Sequence, residues 1–501
     1  MPREILISHD ATEKQVAILE DNKLEEFYIE RVDDYRMFGN IYKGVVKTVI
    51  PGMGAAFVDL GTEKDGFLYV DDALRSPVDL DAEFDEKNGD APREEFRRPR
   101  NQNIHDVLKV GQEVIVQVVK EPIGTKGPRL TTHFSIPARY LVMMPGQEKV
   151  GVSRRLEDRK ERERIRNIFR NMDLPKGVGF IVRTAGEGQS EKEYARDIRY
   201  LLRSWRRVHA MIARKKAPSL IHQELNLVER VIRDHLTQDT TRIVVDQKDT
   251  LRKVKRFLGL YLPNDSIRVE LHQGVPIFER FGIEKEIERA FSKVVMLKSG
   301  GHVVIEQTEG LVAIDVNTGK FTGRHNLEDT VFKTNMEAAW EVARQLRLRD
   351  VGGIIVIDFI DMERHDHRRQ LYRTFREAVR GDRAKINVMP MSDLGLIEMT
   401  RQRIRPSLES AVYDTCPYCK GKGMVKSAST MAIQTIKEIR KTLGTTQGRV
   451  LNVYLHPEVA EKLLSQEQRA LHHLERNSRS RIFVFSEPNI HMEDIKITFL
   501  K

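Results

Sequence analysis

Two apolar runs in this chain each end in an acid: Leu311-Val312-Ala313-Ile314-Asp315-Val316-Asn317 and Gly352-Gly353-Ile354-Ile355-Val356-Ile357-Asp358. Between them lies a helical pattern, with Asn326 as its expected N-cap, Glu328 and Asp329 in its first turn and an end near Arg347. Strand, helix and strand over this length predict a parallel crossover, with both strands in one sheet. The two carboxylates then emerge at the same edge, where open α/β sheets bind ligands. Converging acids at such an edge suggest a hard cation, Mg²⁺ first. Asn317, two residues after Asp315, shares its face and can hydrogen-bond a metal ligand, a water or a phosphate. Asp361 lies three after Asp358, would face away if the strand continued, and is set aside. An aspartate after a strand often only caps a turn, so it is the pair that carries the metal reading. An ion there polarises a phosphoryl oxygen and lowers the pKa of an attacking water, so the reaction class is metal-dependent phosphodiester hydrolysis.

Two further places carry chemistry. Phe180-Ile181-Val182 runs into Arg183-Thr184-Ala185-Gly186, where a guanidinium, a hydroxyl and turn amides could meet a phosphate. Arg-Thr at a strand end is commonplace, so this signal is weak by itself. Cys416 and Cys419, the only cysteines, flank Pro417-Tyr418 and precede Lys420-Gly421-Lys422-Gly423. Structural zinc needs four ligands, so three readings compete: histidines complete the site, a second chain supplies its own pair, or the pair is a redox dithiol. A knuckle-like turn without a surrounding thioredoxin-like βαβ places redox last.

The elements that hold these groups must fold as several domains, because 501 residues exceed one ordinary core. A net charge of +10 favours a polyanionic partner, nucleic acid ahead of anionic membrane. No run approaches the roughly 18 apolar residues of a membrane span, and two cysteines make no secreted disulfide framework, so a cytoplasmic protein is expected. Short strands in residues 1 to 37 read as a meander that cannot bury a core alone. Five glycine-broken strands, Ile41 to Ile50, Ala55 to Leu60, Gly66 to Val70, Glu113 to Val119 and Arg129 to Thr132, suggest an OB-type barrel. Phe57 and Phe67 are candidate stacking platforms on it and Lys126 a phosphate cation, with burial in the barrel core as the competing reading for both rings. Residues 75 to 103 read as a polar insertion. Two basic helices follow, and in the second Arg196, Arg199, Arg203, Arg206 and Arg207 share a face opposite Ile198, Leu201, Leu202, Trp205 and Ile212. Such a face is usually solvated, but here the stripe continues through Arg214, Lys215 and Lys216. Residues 218 to 290 alternate helix and strand and fit a partner for the N-terminal meander. The last segment reads as a compact α/β cap.

The run Gly52-Met53-Gly54-Ala55-Ala56-Phe57-Val58-Asp59-Leu60-Gly61, then Gly66-Phe67-Leu68, resembles the S1 domain of the bacterial ribonuclease E/G family. Residues 344 to 350 (Arg-Gln-Leu-Arg-Leu-Arg-Asp) and 352 to 362 (Gly-Gly-Ile-Ile-Val-Ile-Asp-Phe-Ile-Asp-Met) match its DNase I-like subdomain, and the resemblance covers nearly the whole chain. It implies a multidomain α/β and β fold: an OB-type S1 barrel (38–131, with insertion 75–103) inserted in a ribonuclease H-like subdomain without a catalytic centre (1–37 and 218–290). A 5′-sensor region (132–217), a DNase I-like catalytic subdomain (291–412), a zinc link (413–424) and a small α/β C-terminal domain (425–501) complete it. No long Pro-, Arg- or Glu-rich stretch follows, so the shorter form of the family is expected.

The resemblance assigns catalytic magnesium to Asp315 and Asp358, assisted by Asn317, and RNA contact to Phe57, Phe67 and Lys126. It assigns 5′-monophosphate sensing to Arg183 and Thr184, with Val142 as the pocket's floor and Lys385 beside it. It makes Cys416 and Cys419 of two subunits share a structural zinc ion, implying a homodimer or homotetramer. Ala138 stands where the family pattern has glycine and Lys385 where it has arginine; the first is expected to crowd a phosphate and the second loses the fork geometry, so weaker 5′-phosphate binding is expected. The expected activity is Mg²⁺-dependent cleavage of single-stranded A/U-rich RNA, in ribosomal RNA processing and messenger decay, leaving 5′-phosphate and 3′-hydroxyl ends. The alternatives are a non-catalytic RNA-binding scaffold and a metal phosphodiesterase acting on DNA.

Overall fold

The computed structural model describes residues 2–31, 36–73, 103–122, 126–153, 156, 158–237, 239–261, 267–308, 310–319, 327–403, 408–445 and 450–500. Asn326 and the expected insertion, apart from Asn103, lie outside them. Two compact units divide between Ala411 and Val412.

In the first unit the strands Arg3–His9, Glu13–Glu20 and Lys23–Arg31 form the meander. Asp21 and Asn22 take φ of 49° and 60°, the left-handed conformation that a tight hairpin turn requires. Arg3–His9 then pairs in parallel with Thr240–Val245, and that strand with Arg268–Leu271, giving one five-stranded sheet. The helices Leu227–His235 and Lys248–Tyr261 bury Val231, Ile232, Val254 and Phe257 against Ile5, Ile7 and Ile243 of this sheet.

The strands Ile41–Ile50, Ala55–Asp59, Gly66–Tyr69, Glu113–Lys120 and Arg129–Thr131 close into a five-stranded barrel, because the first also pairs with the fourth. Val46, Val58, Leu68, Val116 and Leu130 fill it. At Gly66 a Cβ would lie 2.5 Å from Leu130, so the two strands approach this closely only with glycine there. Ser219–His222 adds a sixth strand outside the ring, against Ile41–Ile50.

A four-stranded sheet follows, Val150–Val152, Val178–Val182, Leu141–Pro145 and Ile136–Pro137 in spatial order. It packs against the helices Arg159–Asn171 and Glu191–Arg214 through Ile165, Phe169, Tyr194 and Leu201.

The last sheet of this unit runs Val294–Met296, His302–Gln307, Val312–Asn317, Gly353–Asp358, Leu396–Arg401, Ile386–Val388. Val312–Asn317 and Gly353–Asp358 are parallel, joined through the helix Leu327–Leu348. That helix and His365–Arg380 bury Val342, Leu346, Leu371 and Phe375 with Ile314, Ile355 and Ile357 on one face of the sheet. The opposite face is bare: Met296, Ala313, Asp315, Ile354, Asp358, Glu398 and Thr400 are exposed. The two aspartates therefore stand on an open face near the strand ends, and not in a crevice beyond them.

In the second unit the helix Ala428–Thr445 precedes Val450–Leu455, the helices Pro457–Gln466 and Gln468–Ser478, and a parallel return strand, Arg481–Ser486. Lys496–Leu500 completes the sheet in antiparallel fashion. A βαβ crossover is thus present in this unit, which corrects the sequence-based ground for ranking a redox dithiol last. The cysteine pair precedes that crossover in the chain and is not at its strand-to-helix turn. Among the described residues, no helix is long and apolar enough to cross a membrane.

Candidate functional site

Parallel pairing sets Asp315 directly opposite Asp358 in register, so neighbouring strands present two carboxylates on the same bare face. Asn317 Nδ2 donates to Asp315 Oδ2 at 2.6 Å, which fixes that carboxylate and occupies one of its oxygens. Burial and the charges of Asp315 and then Asp361 push the Asp358 carboxyl above its usual range. The expectation that sets Asp361 aside assumes a continuing strand; the strand ends at Asp358, and the charge of Asp361 acts on that residue. The assumption fails because residues 359–362 no longer follow the strand. The segment is held by Asn335, fully buried on the crossover helix, which donates to Ile360 O at 2.8 Å and accepts from Ile360 N at 3.1 Å. Two crowded carboxylates, with that of Asp358 pushed up, are the donor set that a hard divalent cation relieves, so the residues present fit Mg²⁺. No group of three or more acidic, histidine or cysteine side chains is gathered as a full ligand set among the described residues.

On the barrel, Phe57 and Phe67 are cross-strand partners whose rings meet edge to face, centroids 5.3 Å apart. Both are half-buried and outside the barrel core, where Ala56, Val58 and Leu68 sit instead. The core reading of these two rings therefore fails, since alternation turns them outward. Tyr69, missed in the sequence, extends the cluster at 4.5 Å from Phe67 with the Arg129 guanidinium 5.2 Å from its ring centre. The period-two spacing of Phe67 and Tyr69 was the available signal. Lys126 is exposed, just before Pro128, whose carbonyl accepts from Phe67 N at 2.7 Å.

Arg183 follows the strand Val178–Val182, and its Nη1 donates to Ala138 O at 2.7 Å and to Asp234 Oδ1 at 2.8 Å. Asp234 is held by Arg233 as well, at 2.9 Å, and Arg233 reaches Glu224 at 2.8 Å. Burial pulls the Asp234 carboxyl upward, but Arg183 and Arg233 outweigh it and hold the group well below the usual carboxylate range. Nothing in the sequence marks Asp234, since its partner lies 51 residues away. Thr184 is exposed next to Arg183, and Val142 is half-buried opposite Ile181. Ala138 is fully buried within a core cluster, so its methyl is packed and does not stand over an open pocket. Lys385 lies between the helix His365–Arg380 and the strand Ile386–Val388, two residues after Arg383, whose charge acts on Glu26 and His235.

At the cysteine pair, the amides of Cys419 and Tyr418 lower the Cys416 thiol, and Gly423 N donates to Cys419 Sγ at 3.3 Å. Lys420 and Gly421 turn with φ of 51° and 83°. Two sulfurs, each met by at least one backbone amide, fit half of a tetrahedral zinc shell.

Residues 135–404 match the model of the ribonuclease E/G family. The chain belongs to the ribonuclease E/G family. Residues 415–500 match the thioredoxin-like domain described for the same family, in agreement with the βαβ crossover. The chain is 41% identical to ribonuclease G of Escherichia coli K12 over the full length of both. It is 40% identical to ribonuclease G of Haemophilus influenzae, covering 93% of each chain. Ribonuclease E of Escherichia coli K12 is 38% identical over 95% of this chain and 44% of its own length, so within the family the chain stands close to the ribonuclease G form.

Proposed function

We propose that this endoribonuclease hydrolyses single-stranded, A/U-rich RNA on the bare sheet face at Asp315 and Asp358, leaving 5′-phosphate and 3′-hydroxyl ends. The observation that carries this reading is the shared register of the two carboxylates on adjacent parallel strands. Mg²⁺ would be held by Asp315 and Asp358. When bound, it supplies charge neutralisation at the phosphate and a water of lowered pKa. The chain's own residues do the rest. Asn317 keeps Asp315 in one rotamer, Asn335 fixes the segment after Asp358, and Phe57, Phe67 and Tyr69 offer stacking surfaces that unpaired bases can use. Lys126 supplies charge for the backbone beside those rings, while Arg129 is paired with Asp72 at 3.0 Å and lies against Tyr69.

Arg183 and Thr184 form a pocket for a 5′-monophosphate in this reading, with Val142 beneath and Lys385 as a nearby cation. Arg183 commits Nη1 to Ala138 and Asp234, which leaves its remaining N–H groups for a phosphate. Ribosomal RNA precursors and messenger RNA in the cytoplasm are the proposed substrates. Cys416 and Cys419 of two chains would share a structural zinc ion, making a homodimer or homotetramer.

The test is cleavage of a short A/U-rich RNA carrying a 5′-monophosphate or a 5′-hydroxyl, with Mg²⁺ or with chelator, beside DNA of the same sequence. Asp315→Asn and Asp358→Asn should each lower kcat/KM about 10²-fold or more while RNA affinity is retained. Normal cutting by folded variants would overturn the site, and equal rates for both 5′ ends would remove the sensor.

A further inference from the structure

The helix Glu191–Arg214 bridges the sheet that carries Arg183 and the barrel. Its first half enters the core behind Arg183 through Tyr194, Ile198 and Leu201, and Asp197 accepts the amides of Tyr140 and Leu141 at 2.7 and 3.1 Å. Its second half packs through Val208 against Ile41 and Ile221 on the barrel side. Lys43 Nζ donates to Lys215 O at 3.2 Å and Lys215 Nζ to Leu220 O at 2.7 Å, tying the end of the helix to barrel strands.

Along the outer side, Arg199, Arg203, Arg206, Arg207 and Arg214 are all exposed. At about 100° per residue they fall in one sector about 100° wide. Between Asp197 and Glu224 the sequence has no acidic residue, and none of these five arginines makes an ion pair among the described residues. An ordinary solvated helix face interleaves carboxylates at i+3 or i+4; this one does not. From Arg199 to Arg214 the rise is about 22 Å, the length of about six stacked nucleotides.

We infer that this arginine stripe is a track for the phosphate backbone of RNA chains that extend between the Arg183 region and the barrel. The inference rests on the proposed action on RNA. An anionic membrane surface is the weaker partner, because an interfacial helix must offer an apolar face to lipid and here that face is buried in two protein cores.

The test compares the full-length protein with a variant carrying Arg199→Gln, Arg203→Gln, Arg206→Gln and Arg207→Gln, changes that keep helix propensity. Binding of a 30-nucleotide single-stranded RNA is followed by fluorescence anisotropy over a salt series, with chelator present. The slope of log K against log salt should become shallower by about 3, roughly 0.7 for each phosphate that is no longer neutralised. Lysine at the same four positions should restore it, and a shallower slope that lysine leaves unrestored would overturn the charge track. An unchanged slope in the glutamine variant, with wild-type protein that binds and cuts RNA, would sink the stripe alone. Wild-type protein that neither binds nor cuts RNA would sink the RNA reading as well. Loss of binding to vesicles of neutral and anionic lipid, with RNA binding intact, would reassign the stripe to membranes.

Discussion

Arg183 shares its guanidinium between a neutral carbonyl and a carboxylate, and Asp234 is thereby a positioning residue for it. Asp234→Asn should reduce the preference for 5′-monophosphate over 5′-hydroxyl RNA several-fold without changing kcat/KM on the hydroxyl substrate. Because the native carboxyl of Asp234 is held below its unfolded value, its stabilisation is present above about pH 4 and is lost as pH falls further. The stability deficit of the Asn variant in urea titrations should therefore shrink below that pH; a pH-independent deficit would contradict the ion pair. Asp197 has the opposite sign. Burial raises its carboxyl from 3.8 to about 6 despite two backbone amides, so the native state binds this proton more tightly and stability declines as pH rises from about 4 to 6. An asparagine oxygen can accept the same two amides. Asp197→Asn should gain on the parent across that window, by up to about 3 kcal/mol at pH 7, in urea midpoints at pH 4 and pH 7; a gap that does not widen would refute it. Neither Asp234 nor Asp197 is legible in the sequence, because each acts on residues remote along the chain, whereas Asp315 and Asp358 announce themselves by ending apolar runs.

At the scale of elements, the crossover unit does the positioning. Parallel strands joined by a helix can bring their ends level, and the register opposes the two aspartates. The run Gly353–Ile357 is apolar or glycine throughout, yet Ile354 is 54% exposed. Apolar content alone does not reveal that helices cover only one side. Asn335 joins the helix to the segment after Asp358: replacing it by Leu removes the partners it gives the N–H and C=O of Ile360, at about 1–3 kcal/mol each. The Asn335→Leu protein should lose stability of that order in denaturant titrations and lose kcat with little change in RNA affinity; full kcat would show that the segment after Asp358 needs no clamp. The barrel was more readable, since glycine-separated strands with alternating apolar residues dictate its five members. The outward set of Phe57, Phe67 and Tyr69 follows from period-two alternation once the strands pair.

For the whole molecule, the decisive partition is between the unit ending at Ala411 and the one beginning at Val412. Cys416 and Cys419 sit at the start of the second unit with amides directed at sulfur and without a third ligand gathered beside them among the described residues. If two chains share zinc there, Cys416→Ser should halve the mass measured by light scattering, and chelation should do the same to the parent; an unchanged mass would refute the shared site.

The sequence alone determined the elements, their periodicity and the two acids closing apolar runs, because local propensity and burial pattern are written residue by residue. The tertiary structure decided which sheet face stays bare, that Asp361 joins the field of Asp358, that Asp234 holds Arg183, and that a βαβ crossover follows the cysteine pair. Each of these depends on chain segments meeting across long separations, and contacts of that kind leave no period in the sequence to read.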